Sequence, residues 1–192
     1  MAPALIALGY LLGSIPFGVL VTRWKLGVDV RAQGSGNIGA TNVARAGGKK
    51  LGALVLALDA LKGLGPTWAS LALAPGQRWL HAGVALAAFS GHVFPVWLKF
   101  RGGKGVATAL GVLAVLEPAA AGAGFAAYAL LFAIWRVSSV GSLAAGVTAV
   151  VVAWAGSSPR EYAALISLLF ATMIYTHRGN IRRLIGHTEK PV

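Results

Sequence analysis

Cysteine is absent from the 192 residues, and only five carboxylates (Asp29, Asp59, Glu117, Glu161 and Glu189) stand against 17 lysines and arginines. Without cysteine there is no disulfide framework, no zinc–thiolate site and no thiol nucleophile. The carboxylates are scattered rather than clustered, so neither a metal site nor a cofactor is expected. Charge of any sign is scarce at 11% of residues, against about 25% in an average soluble domain. A water-facing surface cannot be built from so few charges. The net charge of +12 would suit a nucleic-acid partner, but that reading needs a basic face on a soluble module. No nucleic acid is expected.

Long apolar runs fill the chain instead. Residues 2–22, 79–98 and 137–159 carry no Asp, Glu, Lys or Arg, and each is long enough as a helix to cross about 30 Å of hydrocarbon. Residues 162–176 form a shorter uncharged run, and 51–77 is interrupted only by Asp59 and Lys62. Glu117 and Pro118 divide 105–135 into two short spans. These runs predict an all-α integral membrane protein with about seven transmembrane helices, some short, forming a single membrane-embedded domain over 1–192.

Orientation follows from the basic residues, which favour the cytoplasmic side. With the N-terminus outside, the inner segments 23–50, 99–104, 136 and 177–192 hold 14 of the 17 lysines and arginines. The outer loops hold only Arg78 and Arg160. The N-terminus is therefore read as outside and the C-terminus as cytoplasmic. Trp24, Trp97 and Trp135 then fall at inner helix ends, and Trp79 and Trp154 near outer ends, as interfacial indoles should. A cleaved signal peptide over 2–22 would need basic residues before the apolar run, whereas here they follow it.

Three polar segments share the inner side. Gly34-Ser35-Gly36-Asn37-Ile38-Gly39-Ala40-Thr41-Asn42 precedes Arg45 by less than a turn. Its formal G-x-G-x-x-G, with Asp59 20 residues beyond Gly39, is not a dinucleotide fingerprint, because no strand–helix–strand unit surrounds it. Small residues nevertheless let backbone N–H groups face an anion, and a helix starting near Ala40 adds its positive end. Thr41 and Arg45 would share one face of that helix. A polar hairpin with glycines for its turns is the alternative. The second segment runs from Gly91-His92 through Phe94-Pro95 to Lys99-Phe100-Arg101-Gly102-Gly103-Lys104-Gly105. It fits no Walker frame, yet glycines, an ammonium and a helix N-terminus converge at Lys104. The third is Thr176-His177-Arg178-Gly179-Asn180-Ile181-Arg182-Arg183, a basic stretch suited to lipid headgroups. On a continuing helix it places His177 and Asn180 on one face, to which Arg182 and Arg183 cannot both turn.

Other polar residues have plainer readings. Asp59 and Lys62 sit three apart inside a span and read as a buried pair that positions helices. His92 reads as a buried, hydrogen-bonded histidine, Ser139 and Ser142 as caps or packing groups, and Gly9 with Gly13 as a close-packing pair. Three anion-suited segments on one face imply a substrate with more than one phosphate, or two phosphorylated substrates, reached from the cytoplasm.

The strings S-G-N-I-G-A-T-N-x-x-R, G-H-x-F-P-x-x-L-x-F-x-G-G-K-G-V-A-T and T-H-R-x-N-I-x-R-L resemble the signature set of a bacterial family. It is the acyl-phosphate:glycerol-3-phosphate acyltransferases (PlsY-type) of the inner membrane. D-x-x-K-G at Asp59 to Gly63 also fits, and residues 137–142 depart mildly, reading V-S-S-V-G-S where the family often has Y-V-S-L-A-S. The resemblance implies acyl transfer from acyl phosphate to the primary hydroxyl of glycerol 3-phosphate, giving lysophosphatidic acid and phosphate, in contact with membrane lipid. It implies catalytic roles for Ser35, Lys104, His177 and Asn180. It implies substrate contacts from Gly36, Asn37, Thr41, Asn42, Arg45, Gly102, Gly103 and Ser142. In agreement, no histidine begins an H-x-x-x-x-D pair: Leu86, Trp97, Arg182 and Val192 stand five residues beyond the four histidines. A carrier or flippase for a phosphorylated metabolite or lipid is the competing reading, because polar breaks and intramembrane charges also suit transport.

Overall fold

The computed structural model describes residues 1–191 and is helical throughout, with no strand among the described residues. Its helices are α1 (Ala2–Gly13), α2 (Phe17–Leu26), α3 (Ala40–Gly47), α4 (Lys49–Leu73), α5 (Arg78–Val93), α6 (Val106–Leu116), α7 (Pro118–Trp135), α8 (Ser138–Ala155), α9 (Arg160–Thr176) and α10 (Arg178–Ile185). Each of the seven apolar runs is helical. The stretches Ala2–Leu26, Arg78–Leu98, Pro118–Trp135 and Ser138–Ala155 are long and apolar enough to cross a membrane. α4 has the length, with Asp59 and Lys62 in its middle, while α6 is an apolar helix of only 11 residues. The first run is broken: Pro16 has no N–H to continue the α1 ladder and its ring would crowd the preceding turn, so the axis restarts at Phe17.

Two compact units divide the chain, Met1–Val112 and Leu113–Val192. In the first, α1 packs on α4 and α5, and α2 and α3 pack on α4. Small residues allow this: a Cβ on Gly13 would strike the Ala88 carbonyl of α5, and one on Gly9 would press on Val84. Beneath the polar segment 34–39 lies an apolar plug of Val19, Val21, Val30, Ile38, Val43 and Val55. Gly18 of α2 meets the Ile38 carbonyl so closely that no side chain would fit there. The loop is thus seated on a rigid floor.

In the second unit α7 and α8 form a hairpin, α9 packs on α8, and α10 follows α9. The Phe170 ring of α9 fills the space that a Cβ on Gly146 would need. The Ser158 hydroxyl donates to Glu117 at 2.6 Å, tying the α8–α9 turn to the start of α7.

The surface is inverted relative to a soluble protein. All six tryptophans are exposed, from 56% at Trp135 to 74% at Trp79, although indoles are usually highly buried in globular folds. Exposed Leu8, Leu11, Leu20, Leu130, Val147 and Val151 extend that apolar exterior. Lipid is the solvent in which such a surface is stable.

Candidate active site

Asn42 organises the first polar segment. It is 2% exposed in the first turn of α3. Its Oδ1 accepts from the Ser35 N–H at 3.0 Å, and its Nδ2 donates to the carbonyls of Val30, Gln33 and Asn37 at 3.1, 2.9 and 2.9 Å. The Asn37 side chain accepts from the Gly39 N–H at 2.9 Å, an Asx turn that leads into α3. Gly34 and Gly36 adopt left-handed φ values of +50° and +70°. The loop therefore lifts Ser35 and Gly36 to the exposed surface while Asn42 holds it from below. Arg45 is exposed and Thr41 half-buried on α3. Nearby, Arg31 and Arg23 clamp Asp29 at 2.6 and 2.8 Å. The hydrogen bonds from Arg31 dominate and hold this carboxyl below the usual carboxylate range, against the small opposing effect of burial.

The second segment reverses direction after α5. Lys99 and Phe100 both take left-handed backbone angles, φ +52° and +61°, a conformation costing about 1–2 kcal/mol per non-glycine residue. That reversal lets the Gly102 N–H donate to the Val93 carbonyl and the Gly103 N–H to the His92 carbonyl, both at 3.1 Å. Lys104 follows, half-buried, two residues before α6 begins. Gly105, at φ +88°, lies against the Phe89 ring.

Gly36 and Ile38 of the first segment and Gly102 of the second line one open cavity of about 950 Å³ in the first unit. Arg31, Lys99 and Arg101 border it. Two of the three segments singled out in the sequence thus meet at one basic cavity. Sequence reasoning did not assign these three cations to the site. The Lys99–Arg101 spacing beside the glycines was the available signal.

The third segment belongs to the second unit. His177, 1% exposed, occupies the junction of α9 and α10. Its Nδ1 lies 2.8 Å from the Met173 carbonyl. A carbonyl only accepts, so Nδ1 carries a proton and the Nε2 edge is directed away from the Met173 carbonyl. Asn180 is one turn further, and its Nδ2 donates to Glu189 Oε1 at 2.5 Å. Ser139 donates to the same oxygen at 3.1 Å, and Arg183 Nε donates to Oε2 at 2.5 Å. Partial burial raises the Glu189 carboxyl, but the bonds from Arg183, Asn180 and Ser139 outweigh it and hold it below its ordinary value. Glu189 was missed from sequence, although it is the only carboxylate in the basic C-terminal stretch. Arg183 turns to it, while Arg182 is exposed. The Ser142 hydroxyl donates to the Ser138 carbonyl at 2.8 Å, within α8.

Within α4, Asp59 and Lys62 pair at 2.9 Å, each 3% exposed, as the spacing implied. His92 is also buried, but its Nδ1 finds no hydrogen-bond partner. The expected hydrogen-bonded histidine is therefore only half right.

Apolar helices with a lipid-facing exterior, and glycine-rich loops around a basic cavity, define an integral membrane protein built to handle anions. The comparisons agree. A family model described as glycerol-3-phosphate acyltransferase matches residues 3–187. A glycerol-3-phosphate acyltransferase of Myxococcus xanthus is 60% identical over 190 residues, covering 99% of each chain. One from Bordetella petrii is 46% identical over 201 residues, covering 100% of this chain and 93% of its own. The crystal structure of PlsY (YgiH), an integral membrane glycerol 3-phosphate acyltransferase, in its glycerol 3-phosphate form, superposes with a TM-score of 0.95 at 40% identity. That match covers 100% of this chain and 95% of the other. Its lysophosphatidic acid form gives 0.92 at 39% identity, covering 99% and 94%. This chain belongs to the glycerol-3-phosphate acyltransferase family.

Proposed function

We propose that the chain transfers a fatty acyl group from acyl phosphate to the primary hydroxyl of sn-glycerol 3-phosphate. The acceptor oxygen attacks the acyl carbonyl carbon, the C–O bond to phosphate breaks, and lysophosphatidic acid and inorganic phosphate leave. The observation that carries this reading is the basic cavity lined by Gly36 of the first segment and Gly102 of the second, in a chain whose relatives are named glycerol-3-phosphate acyltransferases. The relatives are named as enzymes, and no internal repeat supports a carrier.

Acyl phosphate is a mixed anhydride with a good leaving group, so positioning and charge neutralisation outweigh strong acid catalysis. Ser35, the Gly36 backbone and Lys104 hold the donor phosphate. Thr41 and Arg45 grip a phosphate as well, while Asn37, His177 and Asn180 orient glycerol 3-phosphate, and Ser142 is a further substrate contact. Asn42 serves this site through the loop it shapes, since its amide is taken up by backbone groups. The hydroxyl proton passes to a substrate phosphate oxygen, with His177 Nε2 as the competing acceptor. The single domain extends over 1–192, in line with a family match that runs through both units. Seven spans are read from the apolar runs, the outside N-terminus, cytoplasmic C-terminus and cytoplasm-facing site from the distribution of lysine and arginine, and the bacterial inner membrane from the family resemblance.

The test is phosphate release from palmitoyl phosphate by purified, detergent-solubilised protein, with and without glycerol 3-phosphate. Release that needs the acceptor and matches lysophosphatidic acid mole for mole is the expected result. A folded, monodisperse sample that turns over neither acyl phosphate nor acyl-CoA refutes it.

A further inference from the structure

The mechanism above makes no use of a buried polar cluster below the second loop. Asp59 and Lys62 pair at 2.9 Å on α4. His92 of α5 brings Nδ1 to 3.6 Å from Asp59 Oδ1, and the two side chains are 4% and 3% exposed. Lys62 Nζ also donates to the Ile15 carbonyl at 2.8 Å. That carbonyl lies at the Pro16 break, where helical pairing is lost, and it accepts from the Phe17 N–H at 3.1 Å as well. On the opposite edge of the imidazole, Nε2 lies directly against Gly103, where any Cβ would collide with it. The Gly103 N–H is itself bonded to the His92 carbonyl. One line of contacts thus runs from Lys62 and Asp59 through the His92 ring to Gly103, and Lys104 is the next residue.

Packing alone does not account for this arrangement. Apolar side chains of similar volume join helices at lower cost than a buried ion pair, whose desolvation often exceeds its Coulombic gain. What ionic groups supply is direction: the Asp59 carboxylate, 3.6 Å from Nδ1 and not hydrogen-bonded to it, faces one edge of the ring while the other edge faces Gly103.

We propose that His92 is a positioning residue for Lys104: Asp59, held by Lys62, orients the imidazole, and the imidazole seats Gly103 so that the lysine stands at a set height in the loop. This rests on Lys104 acting on a substrate phosphate. The Gly103 contact accounts for the second glycine of the pair, since any larger residue would displace the ring or the loop.

The experiment compares wild type with His92→Gln and with the double variant Asp59→Asn/Lys62→Met, which removes both charges without leaving one buried alone. Hydrogen–deuterium exchange is followed at residues 101–105 and in α7 and α8. The ratio kcat/KM for palmitoyl phosphate and glycerol 3-phosphate is measured in Lys104 and Lys104→Ala backgrounds. Expected are at least tenfold faster exchange at 101–105 with α7 and α8 unchanged, and at least a tenfold fall in kcat/KM. In the Lys104→Ala background the further fall should be under threefold, because residues acting through one group are not additive. Unchanged exchange at 101–105, loosening of every helix alike, or a full tenfold loss persisting without Lys104 would each overturn the proposal. An inactive wild type would refute the acyl-transfer reading instead, leaving the exchange data to decide this one.

Discussion

Asn42 offers the sharpest test of how the first loop is built. Its amide makes one bond as acceptor and shares its two N–H groups among three carbonyls. Replacing it with alanine removes all four contacts. A net intramolecular hydrogen bond is worth about 0.5–1.5 kcal/mol. Gln33 and Ser35 are exposed and can rehydrate, whereas Val30 is 0% exposed and its carbonyl loses its side-chain partner without access to water. The expected cost is about 2–4 kcal/mol, spent on opening the loop rather than on unfolding the bundle. At a factor of ten per 1.4 kcal/mol, that is about a 30-fold to several-hundred-fold rise in amide exchange over 33–39. Exchange mass spectrometry on detergent-solubilised protein reads it, and kcat/KM for acyl transfer should fall with it. Asn42→Asp is the more telling variant. It is nearly isosteric, but a carboxylate cannot donate, and it would face three carbonyl oxygens. It should be more damaging than alanine at neutral pH. If aspartate is tolerated better than alanine, or if exchange over 33–39 is unchanged in both, the loop is not held in this way.

Three further outcomes are expected. Lys104→Ala should lower turnover at least tenfold in the phosphate-release assay, and a smaller fall removes the charge-clamp role. Gly18→Ala drives a Cβ into the Ile38 carbonyl; overpacking of this kind costs about 1–3 kcal/mol, and melting together with kcat/KM should show it, whereas Gly65→Ala, beside open space on α4 and without a left-handed backbone, should leave kcat/KM unchanged. Glu189 is held below its ordinary value of 4.5 in the folded protein, so its stabilising contribution is complete above that pH and is lost as pH falls through the folded value. Glu189→Gln should therefore melt lower than wild type at pH 7, with the gap closing in acid; a gap independent of pH would refute this.

The helical segments and their lipid-facing character were legible because hydrophobicity is a linear property. A run such as 137–159 has no alternative in water, and Glu117-Pro118 marked the α6–α7 junction by local chemistry alone. Pro16 shows the same logic on a smaller scale, yet the break it makes was read as continuous helix, because in a bilayer an interrupted helix survives where another group meets its carbonyls. Here the Ile15 carbonyl is met by the Phe17 N–H and by Lys62, 47 residues away. The polar segments announced themselves through glycine, asparagine and basic residues in otherwise apolar surroundings. Their individual roles did not, because Asn42 and Ser35 look alike as candidates until hydrogen bonds separate the scaffold from the surface it carries.

By itself the sequence determined composition-level facts: a helical membrane chain, three anion-suited segments and the family whose motifs they match. Tertiary structure decided which residues meet. Only folding sets Gly36 and Gly102 on one cavity, His92 against Gly103, and Glu189 on Asn180 and Ser139. Those contacts join residues far apart in the chain or across a turn whose direction depends on left-handed Lys99 and Phe100. Hydrophobic patterning records which solvent a residue prefers, whereas a contact depends on where two backbones are brought within a few ångströms of each other, and that is settled by packing.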